Sequence, residues 1–222
     1  MESKIALQRI NSIPLFEGFA SDEVSSLLGR ANALIKSFRK SDYIYLAGDC
    51  VENLCVVVNG TVQIIKEDIW GDKSIIANLG SGSVFAENFL GKRGDRSIVS
   101  YFAASDSEIL MIPFGKMMAN SADDRVNGKL IWNIVSILAD NNTKLIEKTE
   151  ILCKKTLRGK ILAYLEQEAA NQKAEKIVVP FNRTDMANYL DADRSALTRE
   201  FAKIRDEGLI AFEKNVFEIL KK

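Results

Sequence analysis

The sequence predicts an α+β chain in three parts: an N-terminal antiparallel β-roll of jelly-roll type, a long helix suited to pairing, and a C-terminal winged helix-turn-helix. Three observations carry this prediction. Residues 33–112 divide into short β-rich runs parted by turn signals. Residues 124–153 contain no glycine or proline except Gly128. Residues 183–207 hold two helical patterns around Asp191-Ala192-Asp193 and lead into a hairpin pattern. The expected boundaries are 1–122 for the roll with its flanking helices, 123–155 for the long helix and 156–222 for the C-terminal domain.

A short helix is expected at 21–30, where Ser21-x-Glu23 signals a start and Val24, Leu27 and Leu28 share one face. The runs that follow are ALIKSF (33–38), YIYL (43–46), LCVVV (54–58), TVQIIK (61–66), KSIIANL (73–79), SIVSYF (97–102) and EILMI (108–112). Turn signals separate them at Ala47-Gly48-Asp49, Asn59-Gly60, Trp70-Gly71-Asp72 and Gly80-Ser81-Gly82. Many short strands at such spacing predict an antiparallel roll or barrel.

On the long helix, Ile131, Ile134, Leu138, Leu145 and Leu152 form a narrow apolar stripe. Asn141 lies on the same stripe, where a polar residue commonly fixes the register of two paired helices. The stripe is either a dimer seam or the inner face of a helix packed on its own domain. After Thr156, Ile161, Leu162 and Leu165 continue on a further helix, and residues 176–180 form a short strand.

In the C-terminal segment, Met186, Ala187 and Leu190 give the first helix a buried side, and Leu197, Phe201 and Ile204 do so for the second. Asp191 tolerates the left-handed conformation that a turn between such helices requires. The other face of the second helix presents Arg194, Ser195, Thr198, Arg199 and Arg205. Arginine bridges guanine O6 and N7 with two hydrogen bonds, and hydroxyls reach base edges or phosphates, so this face is expected to contact double-stranded DNA. Gly208 ends the helix, and residues 209–219 fold back around Lys214-Asn215 as a wing.

Composition narrows the chemistry. The 222 residues are 47% hydrophobic, which suits a folded chain, and contain no histidine. That absence removes the commonest metal ligand and general base, and with them histidine-bound zinc, proximal-histidine haem and Ser-His-Asp catalysis. Cys50, Cys55 and Cys153 show no metal-type spacing and are too few for a four-thiolate iron-sulfur cluster. The opening MESKIALQRI does not resemble an export signal, and no apolar run is long enough to span a bilayer, so a cytoplasmic protein with no membrane partner is expected. Net charge is zero, but residues 1–152 carry 16 Lys+Arg against 19 Asp+Glu and residues 153–222 carry 14 against 11, a small basic bias where DNA contact is expected.

The order of these parts resembles the cyclic-AMP receptor protein / fumarate-nitrate reduction regulator (Crp/Fnr) superfamily over nearly the whole chain. The resemblance rests on Ile13-Pro14-Leu15-Phe16, on residues 42–49 (DYIYLAGD), on residues 56–64 (VVVNGTVQI) and on residues 194–210 (RSALTREFAKIRDEGLI). It implies a cyclic-nucleotide-binding-like roll and a homodimer joined through the long helix. It also implies two recognition helices reading a near-palindromic operator, with half-sites roughly 34 Å apart. By the same likeness Arg194 and Arg199 match base-reading arginines. Arg183, with Thr184 beside it, matches a contact to the DNA backbone. Ser195 stands where close relatives carry glutamate, so a different half-site is expected. An activator of this kind would also meet RNA polymerase.

Residues 82–87 (GSVFAE) and Arg96-Ser97 resemble the pocket elements that hold a cyclic nucleotide's ribose and phosphate. A carboxylate at Glu87 and a guanidinium with a hydroxyl at Arg96 and Ser97 suit an anionic effector. Glu87 and Arg96 pairing with each other inside the roll is the competing expectation. Cyclic AMP is not favoured: Ala86 replaces a glycine, the segment before Arg96 is one residue shorter, and Leu145 and Ile146 occupy the positions that read adenine. A nucleotide-binding module acting on a protein partner without DNA is the alternative function, and a cupin-type enzyme is a weaker rival for want of histidines.

Overall fold

The computed structural model describes residues 13–87, 96–119 and 124–220. Contacts divide the chain into two compact units, one running to Trp70 and resuming over Ile76–Asn142, the other comprising Gly71–Ile75 and the chain from Thr143 onward. The expected boundary at 122/123 falls outside the described residues.

The first unit opens with a 3-10 turn, Pro14–Phe16, and helix α1, Ser21–Ala31. It starts at Ser21, where the Ser-x-Glu signal placed it, and runs one residue beyond the expected end at 30. Ala20 is the cap, and its N–H donates to Glu23 Oε2 at 2.8 Å. Eight strands follow: β1 Leu34–Phe38, β2 Tyr43–Tyr45, β3 Asn53–Asn59, β4 Val62–Glu67, β5 Lys73–Leu79, β6 Val84–Phe85, β7 Ser100–Ala103 and β8 Ser107–Pro113. They form two four-stranded sheets, β1-β8-β3-β6 and β2-β7-β4-β5. Helix α2, Phe114–Ala119, and the long helix α3, Asp124–Leu152, complete the series.

The unbroken apolar run of β3 has a direct cause. Leu54, Val56 and Val58 face a core shared with α1 and α3, while Cys55 and Val57 face a second core between the sheets. β8 is divided in the same way, Leu110 and Ile112 to one side, Ile109 and Met111 to the other. A strand covered on both faces shows no polar alternation. Burial pushes the Cys55 thiol up to about 12, so it behaves as a small hydrophobe.

Two expectations need correction here. The SIVSYF run is strand only from Ser100, because Ser97 closes a local turn in which its Oγ donates to Val99 O at 2.6 Å. The apolar stripe of α3 also divides. Ile134 lies in the core with Val126, Leu130 and Ile137, whereas Ile131, Leu138 and Leu145 are 48%, 40% and 51% exposed. At 100° per residue, Ile134, Asn141 and Leu152 sit about 40–80° round from the line of Ile131 and Leu138, enough to turn them toward the inner face. The exposed face is completed by Trp132, Val135 and Ile146, which the narrow stripe overlooked.

In the second unit, helix α4, Leu157–Gln172, is capped by Thr156, whose Oγ1 accepts from Gly159 N at 3.1 Å. Strand β9, Lys176–Val178, helices α5, Arg183–Leu190, and α6, Arg194–Asp206, and strands β10, Ile210–Glu213, and β11, Val216–Ile219, follow. The strands pair in the order β10-β11-β9. Lys148, near the end of α3, is buried: its Nζ donates to the Ile75 carbonyl and lies 3.9 Å from the centre of the Tyr189 ring. Burial brings its pKa down to about 8, against a smaller opposing pull from Asp191.

The sign of the pH effect follows. Between about 8 and the ordinary lysine value of 10.5, the folded chain has released a proton that the unfolded chain still binds. Stability therefore gains from Lys148 as pH rises through this window. The melting temperature of the wild type is expected to climb relative to Lys148→Met between pH 8 and pH 10, and thermal melts at matched pH check it. Parallel curves would show that Lys148 does not titrate in this range.

Candidate nucleic-acid interface and sensor residues

The helix-turn-helix is built by its caps. Asn182 Oδ1 accepts from Thr184 N and Asp185 N, both at 2.9 Å, and starts α5. The helix stops at Asp191, which adopts the expected left-handed conformation (φ 51°) and returns its N–H to Ala187 O. Asp193 then caps α6 by accepting from Ala196 N at 2.8 Å. The Ser195 hydroxyl, the Ala196 N–H and Arg199 hold its carboxyl below the usual range. Lys160 Nζ donates to Leu190 O at 3.1 Å, placing a cation at the negative end of α5. Arg158 grips Glu207 with two donors, one bond at 2.8 Å, and so ties the start of α4 to the end of α6.

On α6, Leu197, Phe201 and Ile204 are buried as the periodicity required, and Met186, Ala187 and Leu190 oppose them from α5. Arg194, Ser195, Thr198, Arg199 and Arg205 all stand exposed. Thr198 Oγ1 donates back to Arg194 O at 2.9 Å and Ser195 Oγ donates to the Asp193 carboxylate, leaving both hydroxyls acceptor capacity outward. Arg205 donates to Asp206 Oδ1 at 3.0 and 2.9 Å, so its guanidinium stands at the surface in an ion pair. Thr184 is exposed at the start of α5, whereas Arg183 is half-buried against the wing. Beneath the wing a cleft of about 670 Å³ is lined by Pro180, Phe181, Asn182, Arg183, Phe212 and Lys214. Lys214, exposed on the wing turn, was absent from the sequence-derived set; a lysine in a hairpin turn carries no signal until the hairpin is placed beside α6.

The expected pairing of Glu87 with Arg96 is replaced by separate partners. Glu87 Oε1 accepts from Asn141 Nδ2 at 2.6 Å, and Arg96 Nη1 donates to Gly48 O at 2.7 Å. Glu87 and Arg96 thus each have their own partner within the first unit. Ser97 is buried, its N–H donating to Asp49 O at 2.8 Å. Ala86 is buried with φ 64°, the left-handed region where the resembling glycine would sit without strain. Leu145 and Ile146 are exposed on α3. Residues 88–95, which include the shortened segment before Arg96, lie outside the described residues.

A two-sheeted roll, a long helix and a helix-turn-helix with an arginine-bearing second helix and a wing define a DNA-binding transcription regulator. Residues 35–121 match the cyclic nucleotide-binding domain family, and residues 159–222 match the Crp-like helix-turn-helix domain family. These two domains, in this order along the chain, support the Crp/Fnr superfamily of transcription regulators. Among curated relatives, the cAMP-activated global transcriptional regulator Vfr of Pseudomonas aeruginosa is 26% identical over 178 residues, covering 77% of this chain and 81% of Vfr. The transcriptional activator protein FnrL of Cereibacter sphaeroides is 23% identical over 192 residues, covering 80% of this chain and 73% of FnrL. Among solved structures, the c-di-GMP responsive global regulator CLP of Xanthomonas campestris shares the fold with a TM-score of 0.75 at 16% identity, over 91% of this chain and all of CLP. No described helix is long and apolar enough to cross a membrane.

Proposed function

We propose that the chain is a homodimeric, effector-gated regulator that reads a near-palindromic operator through paired α6 helices. The functional division is a sensor at 1–122, a dimerisation helix at 123–155 and a DNA-binding domain at 156–222. The observation that carries the reading is the face of α6, where arginines and hydroxyls stand opposite a fully buried apolar side. Arg194 and Arg199 read base edges, Ser195 and Thr198 reach bases or phosphates, and Arg205, Thr184 and Lys214 meet the backbone. The effector is a small anion held at Glu87, Arg96 and Ser97, and the apolar Leu145 and Ile146 argue against cyclic AMP. An activating role would add contact with RNA polymerase. The cytoplasm is the compartment in which such a protein meets its operator.

Selection of bound sequences from random duplexes, with and without candidate anions, tests activity, half-site and effector together. On the selected operator, Arg199→Ala is expected to lose about 1–3 kcal/mol of affinity while its melting temperature stays put. Equal affinity of variant and wild type would remove Arg199 from base readout. Absence of duplex binding at low salt in every condition would sink the DNA reading itself.

A further inference from the structure

Arg183 occupies an unusual position for a residue matched to a DNA-backbone contact. Its guanidinium carbon lies 4.6 Å from the ring centre of Phe201, 5.0 Å from Phe212 and 5.0 Å from Phe217. Those rings belong to the recognition helix α6 and to both wing strands, and they pack on one another with centres 5.2–5.7 Å apart. One guanidinium therefore touches all three elements. Its Nη2 also donates to the carbonyl of Lys214, 3.0 Å away, at the tip of the wing. Lys214 itself is exposed and held in the left-handed region, with φ 53°. On the other side of the turn, Val179 N donates to Asn215 O at 2.8 Å and Asn215 Nδ2 donates to Val179 O at 3.2 Å. The turn is thus fastened from two directions, and Arg183 is the fastening that includes the recognition helix.

We propose that Arg183 is a positioning residue for the wing: it sets the Lys214 turn against α6, and its share in DNA affinity passes through Lys214 rather than through a phosphate bond of its own. This rests on the DNA-binding reading above. A planar guanidinium is suited to the task, since it stacks on aromatic faces while its edge donates to a carbonyl. A lysine ammonium in that place would keep the charge and lose the stack. Burial among the rings also lowers the Arg183 pKa, which agrees with a group turned into the fold.

The test uses the full-length protein on its selected operator across a salt series, with Arg183→Met, Arg183→Lys, Lys214→Gln and the double variant Arg183→Met/Lys214→Gln. Each protomer of the dimer carries the substitution, so losing one phosphate contact per protomer lowers the salt slope by about 1.8. Arg183→Met and Lys214→Gln are each expected to show that loss, the double variant no more than either, and Arg183→Lys no recovery. Additive losses with full recovery by lysine would show that Arg183 meets a phosphate directly and would overturn the proposal. A second readout needs no DNA: amide hydrogen exchange at residues 214–216 should quicken in Arg183→Met at an unchanged melting temperature. Unchanged exchange there would also overturn the proposal, and it separates this failure from a failure of DNA binding as such.

Discussion

Replacing Val135 and Leu138 together by aspartate is expected to leave a monomer in sedimentation velocity and to cut operator affinity by on the order of 10²–10³-fold. Along α3, Ile131, Trp132, Val135, Leu138, Leu145 and Ile146 form an exposed apolar face. In the proposed homodimer this apolar face is the surface that pairs. Two-fold symmetry would bring every such residue to the seam twice, so the double variant buries four carboxylates. Each costs several kcal/mol to desolvate when unpaired. A monomer then holds one half-site and loses the advantage of tethering. A variant that stayed dimeric with undiminished affinity would place the pairing surface elsewhere.

Gly60→Ala is expected to be the most damaging single change in the roll. Gly60 turns β3 into β4 with φ 92°, where a side chain is strained. A Cβ there would lie 2.3 Å from Ser107 Oγ, 2.4 Å from Asp106 O and 2.7 Å from Ser107 Cα. Two of those atoms are backbone and cannot rotate away. Their retreat would also disturb the bonds from Thr61 N to Ser105 Oγ (3.0 Å) and Ser107 Oγ (3.2 Å). Backbone strain alone costs roughly 1–3 kcal/mol, and the clash adds to it. Thermal unfolding should show a lower melting temperature by many degrees; a change of a degree or less would mean that the turn relaxes freely.

The strands and helices were legible because each leaves a local pattern: glycines with positive φ at Gly48, Gly60, Gly71 and Gly82 fall at the turns read from the sequence. The buried sides of α5 and α6 followed from periodicity alone. What the sequence concealed depends on partners distant in the chain. Ile134 belongs to the core because α1 and the turn at Leu15-Phe16 pack there, which a heptad count cannot reveal. Asn141 meets Glu87, 54 residues away, so its polarity serves the roll and not only a helix seam. Arg183 matched a DNA-backbone contact by resemblance, and nothing local to it announces the three phenylalanines from α6 and the wing that its guanidinium meets. Strand β6, of two residues, and helix α2, of six, were too short to register.

The double commitment of β3 leaves the roll no silent position along its middle. A methyl group added at Val56 pushes toward α1 and α3, one added at Val57 pushes toward the inter-sheet side, and the same five consecutive peptide units must absorb either displacement. Whatever swells or tightens the interior between the sheets thus presses, through a single ribbon of backbone, on the core that α1 and the first half of α3 share with β3.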